Sequence, residues 1–311
     1  MKLAGAFLRL IRWPNLLFIA LTQLLFVYCI MMPIFSEAEM KPNIHGWDFV
    51  LLCLSSIFIA AAGYIINDYF DLNIDRVNKP NKLVVEKIIQ RRWTIIWHLL
   101  LSTAGIAIGF YLDLTTGIAF LGFTNTCCVA LLFAYSISLK RKLLWGNILI
   151  SLLTAWTILV IFWCEGNHYL FPHHVLNTEK FARLTFLYAA FAFIISLIRE
   201  VIKDIEDMEG DRRYGCRTLP IAWGINAAKL FAAVWLIVLI ALLAIVQFYV
   251  LQFNWWFSAL YCVLLIIIPL IWIFYKLYQA QSPADFHKLS SAIKFVMLTG
   301  ILSMIFFRIY T

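Results

Sequence analysis

Charged residues are scarce in this chain. They make up 14% of its 311 residues, whereas 63% of the residues are hydrophobic; an average soluble domain is about a quarter charged. A soluble fold of this length has to cover its surface with polar groups, and 25 Lys and Arg with 17 Asp and Glu are too few to do so. The scarcity of charge therefore excludes a soluble globule and indicates a protein whose solvent is lipid.

Several nucleotide, metal and lipid-transfer motifs are missing as well. The sequence has no C-x-x-C pair, no P-loop, no glycine-rich dinucleotide motif and no H-E-x-x-H. Neither ATP nor NAD is therefore implied, and His168, His173 and His174 lack the spacing of a zinc site. The D-G-x-x-A-R signature of phosphatidyltransferases is also absent.

What the sequence has instead is a series of long apolar runs. Crossing a bilayer takes roughly 20 apolar residues, and nine runs approach this length, at about 14–34, 48–67, 93–112, 114–136, 143–163, 181–199, 226–250, 254–275 and 290–309. The third and fourth runs are separated only by Asp113. We therefore predict an all-α, polytopic membrane protein with nine transmembrane helices that forms one domain over residues 1–311.

Lys and Arg are distributed unevenly between the two sides that such a topology defines. The N-terminus and the even-numbered loops hold 21 of the 25, and the remaining four are Lys41, Lys180, Arg183 and Arg308. The positive-inside rule then places the N-terminus in the cytoplasm and the C-terminus outside. We expect a protein of the cytoplasmic membrane, and its net charge of +8 needs no nucleic acid as an explanation.

Acidic residues are concentrated in two of the cytoplasmic segments, at about 67–92 and 199–225. These segments hold ten of the 17 acids, namely Asp68, Asp71, Asp75, Glu86, Glu200, Asp204, Glu206, Asp207, Glu209 and Asp211. The two segments follow predicted spans two and six, so they lie on the same side of the membrane. We expect them to face each other across one cavity.

The spacing of these residues is helical. Asn67, Asp71 and Asp75 recur every four positions, and Asp204, Asp207 and Asp211 recur at three and four. If the preceding helices extend beyond the apolar region, each set lines one helical face. Such a face carries only oxygen acceptors, which suit Mg²⁺ shared with the oxygens of a phosphorylated substrate.

Basic residues lie next to both acidic sets. Arg76 and Lys79 follow the first set, Arg199 and Lys203 precede or begin the second, and Lys140 belongs to a third loop on the same side. A diphosphate needs this combination, because Mg²⁺ bridges some of its oxygens while Lys and Arg neutralise the rest.

At these residues the sequence resembles the UbiA superfamily of intramembrane prenyltransferases. Its N-D-x-x-D-x-x-x-D motif is matched by Asn67, Asp68, Asp71 and Asp75, and its K-D-x-x-D-x-x-G-D motif by Lys203, Asp204, Asp207, Gly210 and Asp211. Smaller matches are Arg12 and Asn15 at the start of span one and Tyr135 at the end of span four.

The resemblance implies transfer of an isoprenyl group from its diphosphate to a lipid-soluble acceptor, with two Mg²⁺ ions. Nine helices would surround a central cavity that opens to the lipid, with the active site on the cytoplasmic side. The sequence looks closest to the branch that transfers geranylgeranyl to geranylgeranylglyceryl phosphate. It departs from that branch over Asn81–Glu86, which lacks the usual Pro and Gly.

The resemblance also implies roles for individual residues. Metal ligands are expected at Asn67, Asp71 and Asp75 for one ion and at Asp207 and Asp211 for the other, with Asp68 and Asp204 as supporting ligands. Catalytic roles fall on Asp68, Asp71, Asp204, Asp207 and Tyr135. The diphosphate would be bound by Arg12, Asn15, Arg76, Lys79, Lys140, Arg199 and Lys203.

Two alternatives remain open at this point. An aromatic acceptor, as in quinone or tocopherol biosynthesis, would enter beside the same diphosphate. A membrane transporter is the alternative from another class, but transporters place ionisable groups near the bilayer midplane. Here only His98 lies well inside a span, and we expect it to be neutral and bonded to a backbone carbonyl.

Overall fold

The computed structural model describes residues 2–78, 83–166 and 175–310. Within these ranges the chain is helical, and its one departure toward β-structure is an isolated bridge between Val85 and Ile89. The predicted all-α class is confirmed.

Twelve α-helices can be followed through the described ranges, besides a 3-10 turn at Leu139–Arg141. They are α1 (Lys2–Leu10), α2 (Trp13–Glu37), α3 (Gly46–Asn78), α4 (Arg91–Thr116), α5 (Leu121–Ile137), α6 (Trp145–Cys164), α7 (Val175–Glu206), α8 (Met208–Arg213), α9 (Leu219–Ala222), α10 (Ile225–Leu251), α11 (Trp256–Gln279) and α12 (Pro283–Tyr310). Eight helices among the described residues are long and apolar enough to cross a membrane, namely α2, α3, α4, α6, α7, α10, α11 and α12. The chain is therefore a polytopic membrane protein.

Eight of the predicted spans overlap these eight helices, and the remaining one, at about 114–136, overlaps the shorter α5, which has 17 residues. The predicted boundary at Asp113 is wrong, because α4 continues to Thr116. The Asp113 carboxylate instead accepts hydrogen bonds from the backbone N–H groups of Leu121 (2.8 Å) and Gly122 (2.9 Å). An acid at this place satisfies N–H groups that the first turn of α5 leaves without helical partners.

Two helices widen just before a proline. In α2 the π-helical stretch Phe26–Met31 precedes Pro33, and in α11 the stretch Val263–Ile267 precedes Pro269. A proline ring collides with the carbonyl four residues earlier, and a wider turn gives that carbonyl room. Both helices therefore remain continuous.

The length of α3 decides where the first acidic motif lies. Its 33 residues span about 50 Å, whereas the hydrocarbon core of a bilayer is about 30 Å thick. The end of α3 that carries Asn67 to Asn78 can therefore project beyond the apolar layer, as the spacing of the motif requires. We call this end of the helix bundle the charged end.

The outer surface of the bundle is apolar. In α10 only 17% of an 18-residue apolar stretch is buried inside the protein, although the helix is strongly apolar. Large side chains such as Phe248, Phe257 and Trp272 are likewise exposed. In a water-soluble protein such a surface would aggregate, so it is a surface for lipid.

At the opposite end from the acidic motifs, one buried carboxylate fixes a loop. Glu165 is fully buried, and it accepts hydrogen bonds from the backbone N–H groups of Asn43 (2.8 Å) and Ile44 (3.1 Å). The Asn43 side chain in turn donates to the Cys164 carbonyl at 3.1 Å. Burial raises the pKa of Glu165 to about 7, although the two backbone N–H groups oppose this shift.

This raised pKa predicts a pH-dependent stability. Below the ordinary pKa of 4.5 the Glu165 contribution to the free energy of unfolding is fully present, and it is lost as the pH rises through about 7. We expect the unfolding midpoint of the detergent-solubilised protein to fall by about 5 °C between about pH 5 and pH 8. E165Q, which cannot ionise, flattens this fall, whereas the exposed E179Q keeps it. Equal slopes for E165Q and the unmodified protein, measured by tryptophan fluorescence, would contradict the assignment.

Candidate active site

A cavity of about 280 Å³ lies between α2, α3, α5, α6, α7 and α12 and reaches the charged end. Its lining changes from polar to apolar with distance from the charged end. Near the charged end it is polar, with Arg12, Asn15, Asn67, Arg199, Glu200, Lys203 and Lys294; farther in it becomes largely apolar, with Phe18, Ile59, Trp156, Ile158, Val160 and Met304. The cavity is therefore suited to a molecule with a charged head and a long apolar tail.

Two contacts shape the inner part of this cavity. Gln23 is fully buried and donates to Ser56 (2.9 Å) and to the Thr157 carbonyl (3.1 Å), which ties α2 to α3 and α6. On the other wall Phe191 packs against Gly300, and a Cβ added at Gly300 would lie 2.6 Å from the ring. Phe191 and Gly300 both line the cavity.

The first acidic motif lies on the last turns of α3, and its oxygens are held by cations from other elements. The Lys140 ammonium contacts Asp71 at 2.5 Å and Asn67 at 3.1 Å, and its side chain is only 10% exposed. Burial lowers the pKa of Lys140, although Asp71 opposes the shift. Arg12, which also lies 5.1 Å from the Tyr64 ring centre, contacts Asp68 at 2.7 Å.

The second acidic motif does not lie on one continuous helical face, contrary to the expectation from its spacing. Helix α7 ends at Glu206, Asp207 forms the break, and Asp211 belongs to α8. Asp204 accepts a hydrogen bond from Asn147 of α6 at 2.8 Å, and Lys203 lies 3.7 Å from Asp207.

Asn78 explains the break and joins the two motifs. Its amide nitrogen donates to the Asp207 carbonyl, and its amide oxygen accepts from the Gly210 N–H, both at 2.8 Å. A Cβ at Gly210 would lie 2.6 Å from the Asn78 amide, so the close approach requires glycine. One side chain on the helix of the first motif therefore fixes the backbone of the second.

Two of these residues escaped the sequence analysis. Asn147 and Asn78 carry no charge, and neither belongs to the two quoted motifs. Asn78 does continue the helical spacing of Asn67, Asp71 and Asp75, since it follows Asp75 by three positions. That spacing was the available signal for its role.

The other predicted residues occupy three kinds of position. Tyr135, Asn15 and Arg199 line the cavity, and Arg199 also pairs with Glu200 at 2.7 Å. Arg76 lies at the exposed rim, where it contacts Glu86 at 2.5 Å. Lys79, with the part of the Asn81–Glu86 loop before Leu83, lies outside the described residues, as do His168, His173 and His174.

The donor atoms fit a magnesium ion that is completed by substrate. Among the described residues, no three His, Cys, Asp or Glu side chains come close enough to hold a metal ion by themselves. Mg²⁺ rarely uses such a cage, since it takes one or two carboxylates with water and phosphate oxygens. The oxygens of Asn67 and Asp71 already converge on one cation, the Lys140 ammonium, so this part of the site accepts positive charge.

His98 is held by the backbone of a neighbouring helix. It is buried, and its Nδ1 lies 3.1 Å from the Ala62 carbonyl oxygen. This contact confirms the expected bond to a backbone carbonyl and removes the observation that favoured a transporter.

The Asn78 contact generates a test by double substitution. Replacing a helical glycine by alanine ordinarily stabilises a helix by about 1 kcal/mol, but here the added methyl collides with the Asn78 amide. We expect G210A to lower the unfolding midpoint in the native background. In the N78A background the collision is gone, so the same substitution becomes neutral or stabilising by ~0.5–1 kcal/mol. Equal effects of G210A in both backgrounds, measured by thermal unfolding, would disprove the contact.

Comparison with known sequences identifies a family. The model of the UbiA prenyltransferase family matches residues 24–298. Digeranylgeranylglyceryl phosphate synthase of Methanosphaera stadtmanae is 31% identical over 261 residues, which are 83% of this chain and 87% of that protein. The protein of the same name from Methanothermobacter thermautotrophicus is 34% identical over 223 residues, or 71% of each chain.

Solved structures share the fold. A structure of digeranylgeranylglyceryl phosphate synthase has a TM-score of 0.61 at 22% identity, covering 98% of this chain and 99% of that one. A UbiA homologue from Archaeoglobus fulgidus bound to DMAPP and Mg²⁺ has a TM-score of 0.57 at 16% identity, covering 96% and 98%. Because the family match extends over most of the sequence, this chain belongs to the UbiA prenyltransferase family.

Proposed function

We propose that this protein transfers a geranylgeranyl group from geranylgeranyl diphosphate to geranylgeranylglyceryl phosphate in a Mg²⁺-dependent reaction. The observation that carries the proposal is the cavity, which joins an apolar interior to an end flanked by both acidic motifs. Similarity to two digeranylgeranylglyceryl phosphate synthases supports the acceptor. The UbiA homologue bound to DMAPP and Mg²⁺ supports the donor class and the metal.

The proposed topology has nine spans in one domain over residues 1–311, with α5 as the ninth span. The N-terminus would be cytoplasmic and the C-terminus outside, in the cytoplasmic membrane. The positive-inside distribution of Lys and Arg supports this orientation. The charged end of the cavity would then open toward the cytoplasm, where a water-soluble diphosphate head can enter.

The proposed metal site has two Mg²⁺ ions. Asn67, Asp71 and Asp75 would hold one, and Asp207 and Asp211 the other. Asp68 is already held by Arg12, and Asp204 by Asn147, which suits supporting positions behind the ions. Bound Mg²⁺ supplies Lewis-acid stabilisation of the negative charge that develops on the departing diphosphate.

The remaining chemistry falls to the residues of this chain. When the allylic C–O bond breaks, the electron pair leaves with the diphosphate, where Lys140, Lys203 and Arg12 lie close enough to the motifs to neutralise it. The prenyl carbon becomes positive, and the faces of Tyr135 and Tyr64 in the cavity wall stabilise it. The acceptor hydroxyl oxygen then forms the new C–O bond and passes its proton to the departing diphosphate, while the apolar walls keep out competing water.

The acceptor is tested with purified protein and labelled geranylgeranyl diphosphate. We expect product with geranylgeranylglyceryl phosphate, loss of product when EDTA removes divalent metal, and recovery when Mg²⁺ is added. An aromatic quinone precursor serves as the second acceptor in a parallel assay. Product with the aromatic acceptor alone would overturn the proposed acceptor while leaving prenyl transfer intact.

The metal assignment is tested by removing one ligand charge from each motif. D71N and D207N should each lower Mg²⁺-dependent transfer by about 100-fold or more, since each loses several kcal/mol of charge stabilisation. Matched controls are D48N on the first turn of α3, at the other end of that helix from the motif, and E209Q at an exposed position between Asp207 and Gly210, and both should keep near-native activity. Full activity in D71N or D207N, in protein that inserts and unfolds normally, would remove that residue from the site.

A further inference from the structure

One cation of the cavity has no carboxylate partner within the described part of the chain. Lys294 of α12 is half-buried and lines the cavity near its charged end, on the same helix as the deeper Met304. Its hydrogen bond is to the amide oxygen of Asn15, at 3.4 Å. Because the Asn15 amide is uncharged, it does not neutralise the positive charge of the Lys294 ammonium, which is partly removed from water in the cavity wall.

The neighbours of Lys294 increase this positive charge. Arg199, Lys203 and Arg12 lie near enough to repel its ammonium, whereas Glu200 attracts it. Glu200 is already paired with Arg199 at 2.7 Å, and the Arg199 Nε–H is buried without an acceptor. A group of cations that includes an unsatisfied buried donor indicates a place built for an anion.

This place is distinct from the two acidic motifs. Lys140, Lys203 and Arg12 each lie beside a motif carboxylate, so they belong with the metal and the diphosphate. Lys294 and Arg199 have no such contact with the motifs in the described residues. Helix α12 packs on α2 and α7, so this second group lies on the wall of the cavity that those three helices form.

We propose that Lys294, together with Arg199 and Asn15, binds the phosphate group of the acceptor. The inference rests on the proposed function and adds to it a second anion site that contains no metal. A phosphate monoester needs cations and N–H donors; with the Asn15 amide oxygen engaged by Lys294, the amide nitrogen of Asn15 remains available as a donor. The family resemblance groups Asn15 and Arg199 with the diphosphate, whereas this proposal assigns both to the acceptor.

The test separates the Michaelis constants of the two substrates. In K294M we expect KM for geranylgeranylglyceryl phosphate to rise by about 10- to 100-fold, the range for loss of one charge-assisted hydrogen bond. KM for geranylgeranyl diphosphate should stay within about twofold. K294R, which keeps the charge, should recover most of the acceptor affinity.

A control variant and a second acceptor sharpen the result. K288M removes an exposed lysine from the same helix and should change neither constant. Geranylgeranylglycerol, which lacks the phosphate, should be a poor acceptor for the unmodified protein, and K294M should lose most of this preference for the phosphorylated acceptor. If K294M fails to fold, N15A provides the same test, with a raised KM for the acceptor and an unchanged KM for the donor.

Three outcomes would overturn the inference. An equal or larger rise in donor KM would place Lys294 in the diphosphate site, and an unchanged acceptor KM in both K294M and N15A would leave the cations without a role in acceptor binding. In either case, product from the unmodified protein still supports the proposed function. Product with an aromatic acceptor alone would overturn both.

Discussion

Desolvation of charge is the constraint on which this structure depends. A membrane protein places its few ionic groups where little water can stabilise them, so each needs a partner within the protein or a ligand. The acidic motifs meet this requirement with cations and amides from distant segments: Arg12 for Asp68, Lys140 for Asp71 and Asn147 for Asp204. The same contacts bring α3, α6, α7 and the start of α2 together around one cavity.

Hydrogen bonds between uncharged groups then set the positions of the charges. Asn78 holds the backbone of Asp207, at the break between α7 and α8, and that of Gly210 within α8. A carboxylate in this role would repel the motif that it has to fix. An amide can donate and accept at once, and it does so without adding negative charge to a site that already has an excess of it.

Much of this arrangement could be predicted from the sequence because its signals are local. Apolar runs predict the spans, and the four-residue spacing from Asn67 to Asp75 predicts the face of α3, which the structure continues to Asn78. The predicted end of α4 at Asp113 was wrong because this charged residue does not end its helix; its carboxylate instead binds the first N–H groups of α5. The break at Asp207 and the role of Asn147 depend on partners more than 50 residues away along the chain, which no spacing reveals.

The contact between Phe191 and Gly300 has a consequence for the width of the cavity. The ring occupies the space that a side chain on α12 would otherwise fill, so the wall there is formed by a large residue on one helix and an empty position on the other. A side chain at position 300 would push the ring inward and narrow the passage, whereas a smaller residue at 191 alone would open a gap toward α12. The width of the cavity beside Phe191 and Gly300 is therefore set by both residues together. A cavity that fits a wider or narrower prenyl tail at this point would require substitutions at both positions.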